Sequence, residues 1–358
     1  MNKIAFVIGT MQGGGAQRVV TVLSKYFADK GYSVSIITTS DAKLDYQLDS
    51  KVRFIPLVSK YNIPLIKQVC CLANLHKELK SSQYDYISAF LPMTCIYVAV
   101  CKMLGLRFKY IASERMDPAQ DPASSMLRNL RDWAYSKADG LVFQTEDAKQ
   151  YFSSKFNVHS KIIFNPINDK IPSVYQGERE KRIVTAVRLE KQKNIEMLID
   201  AFKDFHQKHP EYTLEVYGKG TLEELLNSKI KEYHLEKSFF LKGFSKNVYE
   251  DMLKASFFVL PSNYEGVSNS MLEALCMGLP VVSTDHPIGG AKMFIKDGEN
   301  GYLTPVGNAE MFCQAMEKVA ELDADEYRKM SNSAAAVKEI LLPLKVCQEW
   351  ENFIVSEI

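Results

Sequence analysis

The stretch Ala255 to Leu303, ASFFVLPSNYEGVSNSMLEALCMGLPVVSTDHPIGGAKMFIKDGENGYL, limits the possible folds of this chain more than any other. Phe257 to Leu260 is a compact apolar run without polar alternation, the pattern of a parallel strand buried on both faces. Pro261, Ser262 and Asn263 end it. Ser268 or Asn269 can cap a helix running through Met277, and Gly278 stands where a left-handed C-terminal cap belongs. Pro280 to Ser283 reads as a second strand. The order strand, loop, helix, strand puts the backbone from Glu265 to Asn269 at the C-terminal edge of a parallel sheet, where open α/β sheets bind ligands.

Two carboxylates mark this unit, Glu265 in the loop and Glu273 inside the helix. The N–H groups of Gly266, Val267, Ser268 and Asn269 surround the helix start, a ready site for a phosphate. Gly266 leaves space for a ligand to approach the backbone. Glu273 lies too deep in the helix to cap it and can accept hydrogen bonds from hydroxyls such as a ribose diol. Two surface glutamates on an ordinary βαβ unit would give the same bare pattern, so the neighbouring residues decide.

Those neighbours read Pro261-Ser262-Asn263-Tyr264-Glu265-Gly266, then Ser268, Glu273-Ala274, Gly278 and Pro280-Val281-Val282-Ser283-Thr284. The segment resembles the Glu-x7-Glu donor-binding core of retaining glycosyltransferases of family 4. The resemblance implies the GT-B fold: two Rossmann-like, doubly wound α/β domains facing a central cleft. Residues 1–170 would form an acceptor-binding domain and 171–340 a nucleotide-sugar-binding domain, with a C-terminal helix over 341–358 crossing back to the first.

Length agrees, since 358 residues exceed what one hydrophobic core usually organises. No apolar run is long enough to span a bilayer, and MNKIAFVIGT reads as a strand entering a glycine loop, not as a signal peptide. Seven cysteines without a CxxC pair fit a reducing cytosol and suggest no zinc site. Residues 1–170 hold 22 basic and 14 acidic side chains, against 22 and 29 in the remainder. A basic first half favours an anionic partner such as a membrane surface or a lipid pyrophosphate. Nucleic acid is disfavoured, because the cations are not interleaved with aromatics as in known modules.

Between the first strand, Lys3 to Gly9, and a helix over Ala16 to Asp29 lies Gly9-Thr10-Met11-Gln12-Gly13-Gly14-Gly15. This is not the GxGxxG fingerprint, which argues against a nicotinamide dehydrogenase. GGGAQRVV resembles the family's GGAERV loop, which implies that Gly14 and Gly15 approach the donor; Gln17 stands where Glu is commoner. Residues 60–80 carry a helical apolar stripe of Ile66, Val69, Leu72, Ala73, Leu75, His76 and Leu79 among Lys60, Lys67, Lys77 and Lys80. Such a helix either covers the sheet or rests on an anionic membrane. Ser113, Glu114, Arg115 and Asp117 crowd another strand edge, which suits acceptor binding or proton traffic, with Glu114 the catalytic candidate; a salt-bridged loop is the alternative. Relatives often carry a functional His here, whereas this chain has none between His76 and His159. The form SERxDP resembles bacterial surface-glycan enzymes that add hexoses or N-acetylhexosamines.

A strand at Arg182 to Val187 leads into Arg188-Leu189-Glu190-Lys191-Gln192-Lys193-Asn194, which resembles the family's RL-x-x-QKN segment. Arg188 and Lys193 are placed to neutralise a diphosphate. Lys242-Gly243-Phe244 resembles the loop over the nucleotide base, and His286 reads as a loop residue. The whole resemblance implies metal-independent, cofactor-free, retaining transfer of a hexose or N-acetylhexosamine from a nucleotide diphosphate sugar, UDP first. The acceptor would be a polyprenyl-diphosphate-linked or growing surface glycan, such as O-antigen or capsule. Arg188, Lys193 and the helix start would stabilise the departing diphosphate, Glu265 would hold sugar hydroxyls and Glu273 the ribose. The enzyme would be cytoplasmic, peripheral on the inner face of the cytoplasmic membrane. The alternatives are a GT-B sugar-nucleotide epimerase, which usually carries other cleft acids and histidines, and a non-catalytic nucleotide-sugar-binding subunit, which would be expected to lack Arg188, Lys193 or a glutamate.

Overall fold

The structure, a computed structural model, describes residues 2–59, 61 and 63–358. Lys60 lies outside the described residues. The chain divides into two compact units, one running to Pro166 and completed by Leu342–Ile358, the other Ile167–Leu341.

In the first unit the strands are β1 (Lys3–Ile8), β2 (Ser33–Thr38), β3 (Arg53–Pro56), β4 (Tyr86–Phe90), β5 (Lys109–Ser113), β6 (Gly140–Phe143) and β7 (Ser160–Ile162). All pair in parallel in the order β3-β2-β1-β4-β5-β6-β7. Between them run α1 (Gly15–Asp29), α2 (Pro64–Ser82), α3 (Pro92–Met103), α4 (Ser125–Tyr135) and α5 (Glu146–Ser153). The strands are nearly continuous in apolar residues because helices cover both faces of a parallel sheet.

The second unit repeats the plan with β8 (Glu180–Ala186), β9 (Thr213–Tyr217), β10 (Phe239–Gly243), β11 (Ala255–Leu260), β12 (Val281–Thr284) and β13 (Gly301–Thr304). Their order is β10-β9-β8-β11-β12-β13, again parallel. Its helices are α6 (Ile195–Lys208), α7 (Glu223–Glu232), α8 (Val248–Leu253), α9 (Asn269–Cys276), α10 (Ala309–Ala320) and α11 (Ala324–Ala336). The strand order reverses between β8 and β11, so the chain leaves those two neighbours toward opposite sides of the sheet, the place on a sheet's C-terminal edge where open α/β folds bind ligands.

The last helix, α12 (Pro343–Glu351), belongs to the first unit. Trp350 is fully buried there and stacks on Phe90 with ring centroids 5.7 Å apart, beside Phe353 and Ile354. Truncating such a buried aromatic costs about 3–5 kcal/mol, enough to hold a short terminal helix in place.

Helix α2 departs from the stripe expected for residues 60–80. The buried positions are Cys71, Leu75 and Leu79, one helical turn apart, whereas Ile66 and Val69 point to solvent at 40% and 60% exposure. The C-terminal half packs on the domain, and the N-terminal half leaves Leu65, Ile66 and Val69 uncovered.

Candidate active site

The candidate crevice of the second unit lies along the two loops that leave β8 and β11. After β8 the backbone runs past the turn Gly218-Lys219-Gly220, and the glycines are required there. A Cβ on Gly218 would sit 1.9 Å from the Val187 carbonyl oxygen, and one on Gly220 would sit 2.2 Å from that of Leu189. This close passage holds residues 187–189 against the sheet edge and leaves Arg188 exposed. The chain then makes a single 3-10 turn, Lys191–Lys193, and Asn194 takes a left-handed φ of 50° to start α6.

That turn is zipped to the loop after β11. Asn263 N donates to the Gln192 carbonyl at 2.8 Å, Asn263 Nδ2 to the Lys191 carbonyl at 3.0 Å, and Asn194 Nδ2 to Asn263 Oδ1 at 3.0 Å. Gln192 Nε2 donates to the Tyr264 carbonyl at 2.9 Å and also reaches Glu265 Oε2 at 3.3 Å. The zipper brings Lys193 onto Glu265 as an ion pair, and Ser262 Oγ donates to the same carboxylate oxygen at 2.8 Å. Sequence reasoning assigns these two side chains to separate parts of a ligand. It misses Gln192, Asn194 and Asn263, whose signal is three amides within the two motifs.

Gly266 and Val267 lead to Ser268, the N-cap of α9, whose hydroxyl accepts from Met271 N, and Asn269 opens the helix. Val267, Ser268 and Glu273 are buried to 8% exposure or less. Glu273, one turn further along α9, accepts from the Tyr249 hydroxyl at 3.0 Å. Gly278 has φ 73°, the left-handed C-terminal cap expected of it. Gly243 also lies in the left-handed region and its carbonyl accepts from Gly218 N at 2.8 Å, so the Gly243 and Gly218 turns brace each other.

The other expected residues sit in the first unit, in two places. Gly14, φ 102°, precedes α1 and accepts the Tyr46 hydroxyl at 2.8 Å on its carbonyl; Gly15 is the first helical residue. Ser113, the last residue of β5, and Glu114, Arg115 and Asp117 after it are all buried. Glu114 turns inward: Oε1 accepts from the Arg115 and Met116 N–H groups at 2.8 and 3.1 Å, and Oε2 from the Tyr135 hydroxyl at 3.2 Å, with Arg131 at 3.8 Å. Burial pushes its pKa up to about 7, with Arg131 opposing. Arg115 lies over the Phe90 and Trp350 rings and donates to Asn165 Oδ1 at 2.8 Å; burial pushes it down to about 9. Asp117 Oδ1 caps the following turn through Ala119 N at 2.8 Å. In this structure the cluster braces the loop and the C-terminal helix.

Comparison with known proteins follows the same division. Residues 13–170 match the family described as Glycosyltransferase Family 4, and residues 168–337 the one described as Glycosyl transferases group 1. A relative from Campylobacter jejuni, N-acetylgalactosamine-N,N'-diacetylbacillosaminyl-diphospho-undecaprenol 4-alpha-N-acetylgalactosaminyltransferase, is 27% identical over 94% of this chain and 95% of its own. The amylovoran biosynthesis glycosyltransferase AmsD of Erwinia amylovora is 25% identical over 94% of each. Among solved structures, Anabaena HepE in complex with UDP and glucose superposes with a TM-score of 0.87 over 99% of this chain and all of that one, at 17% identity. At that identity the likeness speaks for the fold.

Proposed function

The chain belongs to the glycosyltransferases, family 4 by its first segment and group 1 by its second, with the GT-B fold, and from that membership we propose that it moves a hexose or N-acetylhexosamine from a nucleotide diphosphate sugar, UDP first, to a lipid-linked or growing surface glycan with retention of configuration. The observation that carries the reading is the pairing of Lys193 with Glu265 shortly before the start of α9, on loops that leave β8 and β11 where the strand order reverses, with Arg188 exposed on the first of them. An exposed guanidinium and a helix N-terminus suit a departing diphosphate, whose charge develops as the glycosidic bond breaks. Glu265, held by Ser262 and Gln192, is a fixed acceptor for sugar hydroxyls near the oxocarbenium-like carbon. Glu273 serves the ribose. The leaving phosphate takes the acceptor's proton on the same face, so the reaction needs no separate base and Glu114 is free to act as a brace.

The acceptor side of the proposal draws on the relatives, one named for a diphospho-undecaprenol glycan and one for amylovoran biosynthesis. No helix among the described residues is long and apolar enough to cross a membrane. A lipid-linked acceptor would therefore be met by peripheral attachment on the inner face of the cytoplasmic membrane, through the basic first unit. The deciding experiment is an acceptor-free hydrolysis assay across UDP- and GDP-sugars, followed by transfer to a polyprenyl-diphosphate glycan with the anomer read by NMR. Release of UDP from one sugar and an axial product bond are expected; an inverted product or no turnover of any nucleotide sugar overturns the reading.

A further inference from the structure

The loop after β12 adds a side chain to this crevice that the transfer mechanism does not use. Thr284 Oγ1 donates to the Ser262 carbonyl at 2.5 Å, tying the end of β12 to the turn that holds Glu265. Four residues after His286, the backbone of Gly290 passes so close to Gly266 that a Cβ would sit 1.8 Å from the Gly266 carbonyl oxygen. His286 is fastened between these two contacts at 1% exposure. Its Nδ1 faces the Pro287 carbonyl at 3.2 Å, and its Nε2 is buried without a hydrogen-bond partner among the described residues. Burial lowers its pKa, the neighbouring Glu265 carboxylate opposing and Lys193 assisting.

A carbonyl only accepts, so Nδ1 carries the hydrogen, and in the neutral ring Nε2 is left as a bare lone pair. A buried acceptor left unpaired loses the hydrogen bonds it made to water, and an arriving donor relieves that cost. Phosphate oxygens offer no hydrogen; a sugar hydroxyl or an acylamino N–H does. The turn that follows His286 is strained, with the β-branched Ile288 at φ 71° beside Gly289 at 67°. Such strain persists where the surroundings enforce it and marks a segment able to yield when a ligand enters.

We propose that His286 reads the transferred sugar, its Nε2 accepting a hydrogen bond from one hydroxyl or acylamino group while Glu265 takes another. The inference rests on the donor reading above and adds a determinant of which sugar is used. It predicts that wild type discriminates against the one deoxy analogue of its best UDP-sugar that lacks the group read by His286. His286→Leu should lose about 10- to 100-fold in kcat/KM on the full sugar and little on that analogue, with UDP affinity unchanged. His286→Gln, which restores an acceptor oxygen, should recover most of the loss. Independently of any variant, the imidazole nitrogen resonances of His286 in wild type should move on adding the UDP-sugar and stay in place on adding UDP. Equal losses on every analogue, or resonances that respond identically to UDP and UDP-sugar, overturn the inference while leaving the transferase reading intact. A wild-type protein that consumes no nucleotide sugar removes both.

Discussion

Lys193 and Glu265, 72 residues apart in the chain, meet as an ion pair with side-chain exposures of only 12% and 8%. The pair joins the two loops of the crevice, so each charge helps to hold the other. Removing one partner strands its neighbour in a poorly solvated site, which typically destabilises by about 3 kcal/mol or more. Lys193→Ala and Glu265→Ala should each lower unfolding free energy by roughly that amount, and the double variant by clearly less than twice as much. Denaturant titration of the four proteins checks this; strictly additive losses would show that the two charges do not support each other.

Arg188 should behave differently because it is exposed. Arg188→Ala is expected to leave stability within about 0.5 kcal/mol of wild type. It should weaken UDP binding by at least ~1.5 kcal/mol, as for a lost charge-assisted hydrogen bond. Calorimetric titration with UDP is the measurement, and an unchanged affinity in folded protein would remove Arg188 from the diphosphate site.

Transfer should persist in EDTA. Charge neutralisation is assigned to Arg188, Lys193 and the start of α9. The acidic pair Asp323 and Asp325 is engaged elsewhere, with Asp323 capping α11 through the N–H groups of Asp325 and Glu326. Activity that vanished on chelation and returned with manganese would displace the cationic clamp from the mechanism.

Glu114 gives a pH signature. Its folded pKa is raised from 4.5 to about 7. Between those values the folded protein keeps a proton that the unfolded chain has lost, so this group's contribution to stability is fully present below about pH 4.5 and is lost as pH rises through about 7. Glu114→Gln cannot titrate and should escape that loss. The stability of the variant relative to wild type should therefore climb across this window, by about 1.4 kcal/mol per pH unit at its steepest, and then level off. A difference that stays flat with pH would mean that Arg131 keeps Glu114 ionised throughout.

Whether a feature is legible in the sequence depends on whether its determinant is local. The β11–α9–β12 unit can be read because a buried strand, an N-cap at Ser268 and a left-handed Gly278 each write themselves into adjacent residues. The glycine turn at 218–220 can be seen, but not its purpose, which is to pass the backbone of residues 187–189. Glu114 reads as a binding residue because three ionisable residues at a sheet edge look alike whether they face out or in. Its inward turn follows from Tyr135 and Arg131 on α4, neither of them a sequence neighbour. His286 reads as a plain loop residue for the same reason, since its loop is tied to the Glu265 loop by the Thr284–Ser262 hydrogen bond and the close approach of Gly290 to Gly266, contacts between distant parts of the chain.

The exposed start of α2 leads to the last prediction. Leu65 at 71%, Ile66 and Val69 stay in solvent, with the exposed Tyr61 and Ile63 just before them, while the buried residues of the helix, Cys71, Leu75 and Leu79, all come after them. Lys77 and Lys80 are exposed on the same helix and Lys67 is half-buried, in a unit whose charge is net positive. Apolar side chains flanked by cations suit a surface of anionic head groups, where each cation contributes about 1 kcal/mol and salt screens the attraction. Wild type should float with anionic liposomes at low salt. Replacing Lys60, Lys67, Lys77 and Lys80 with Gln should abolish flotation, and Leu65→Ser with Val69→Ser should weaken it even at low salt. Neither set touches the second unit, so acceptor-free hydrolysis of the donor should continue in both. If wild type ignores anionic liposomes at low salt, the uncovered apolar residues serve some other partner, and a soluble acceptor becomes the better reading of the first unit.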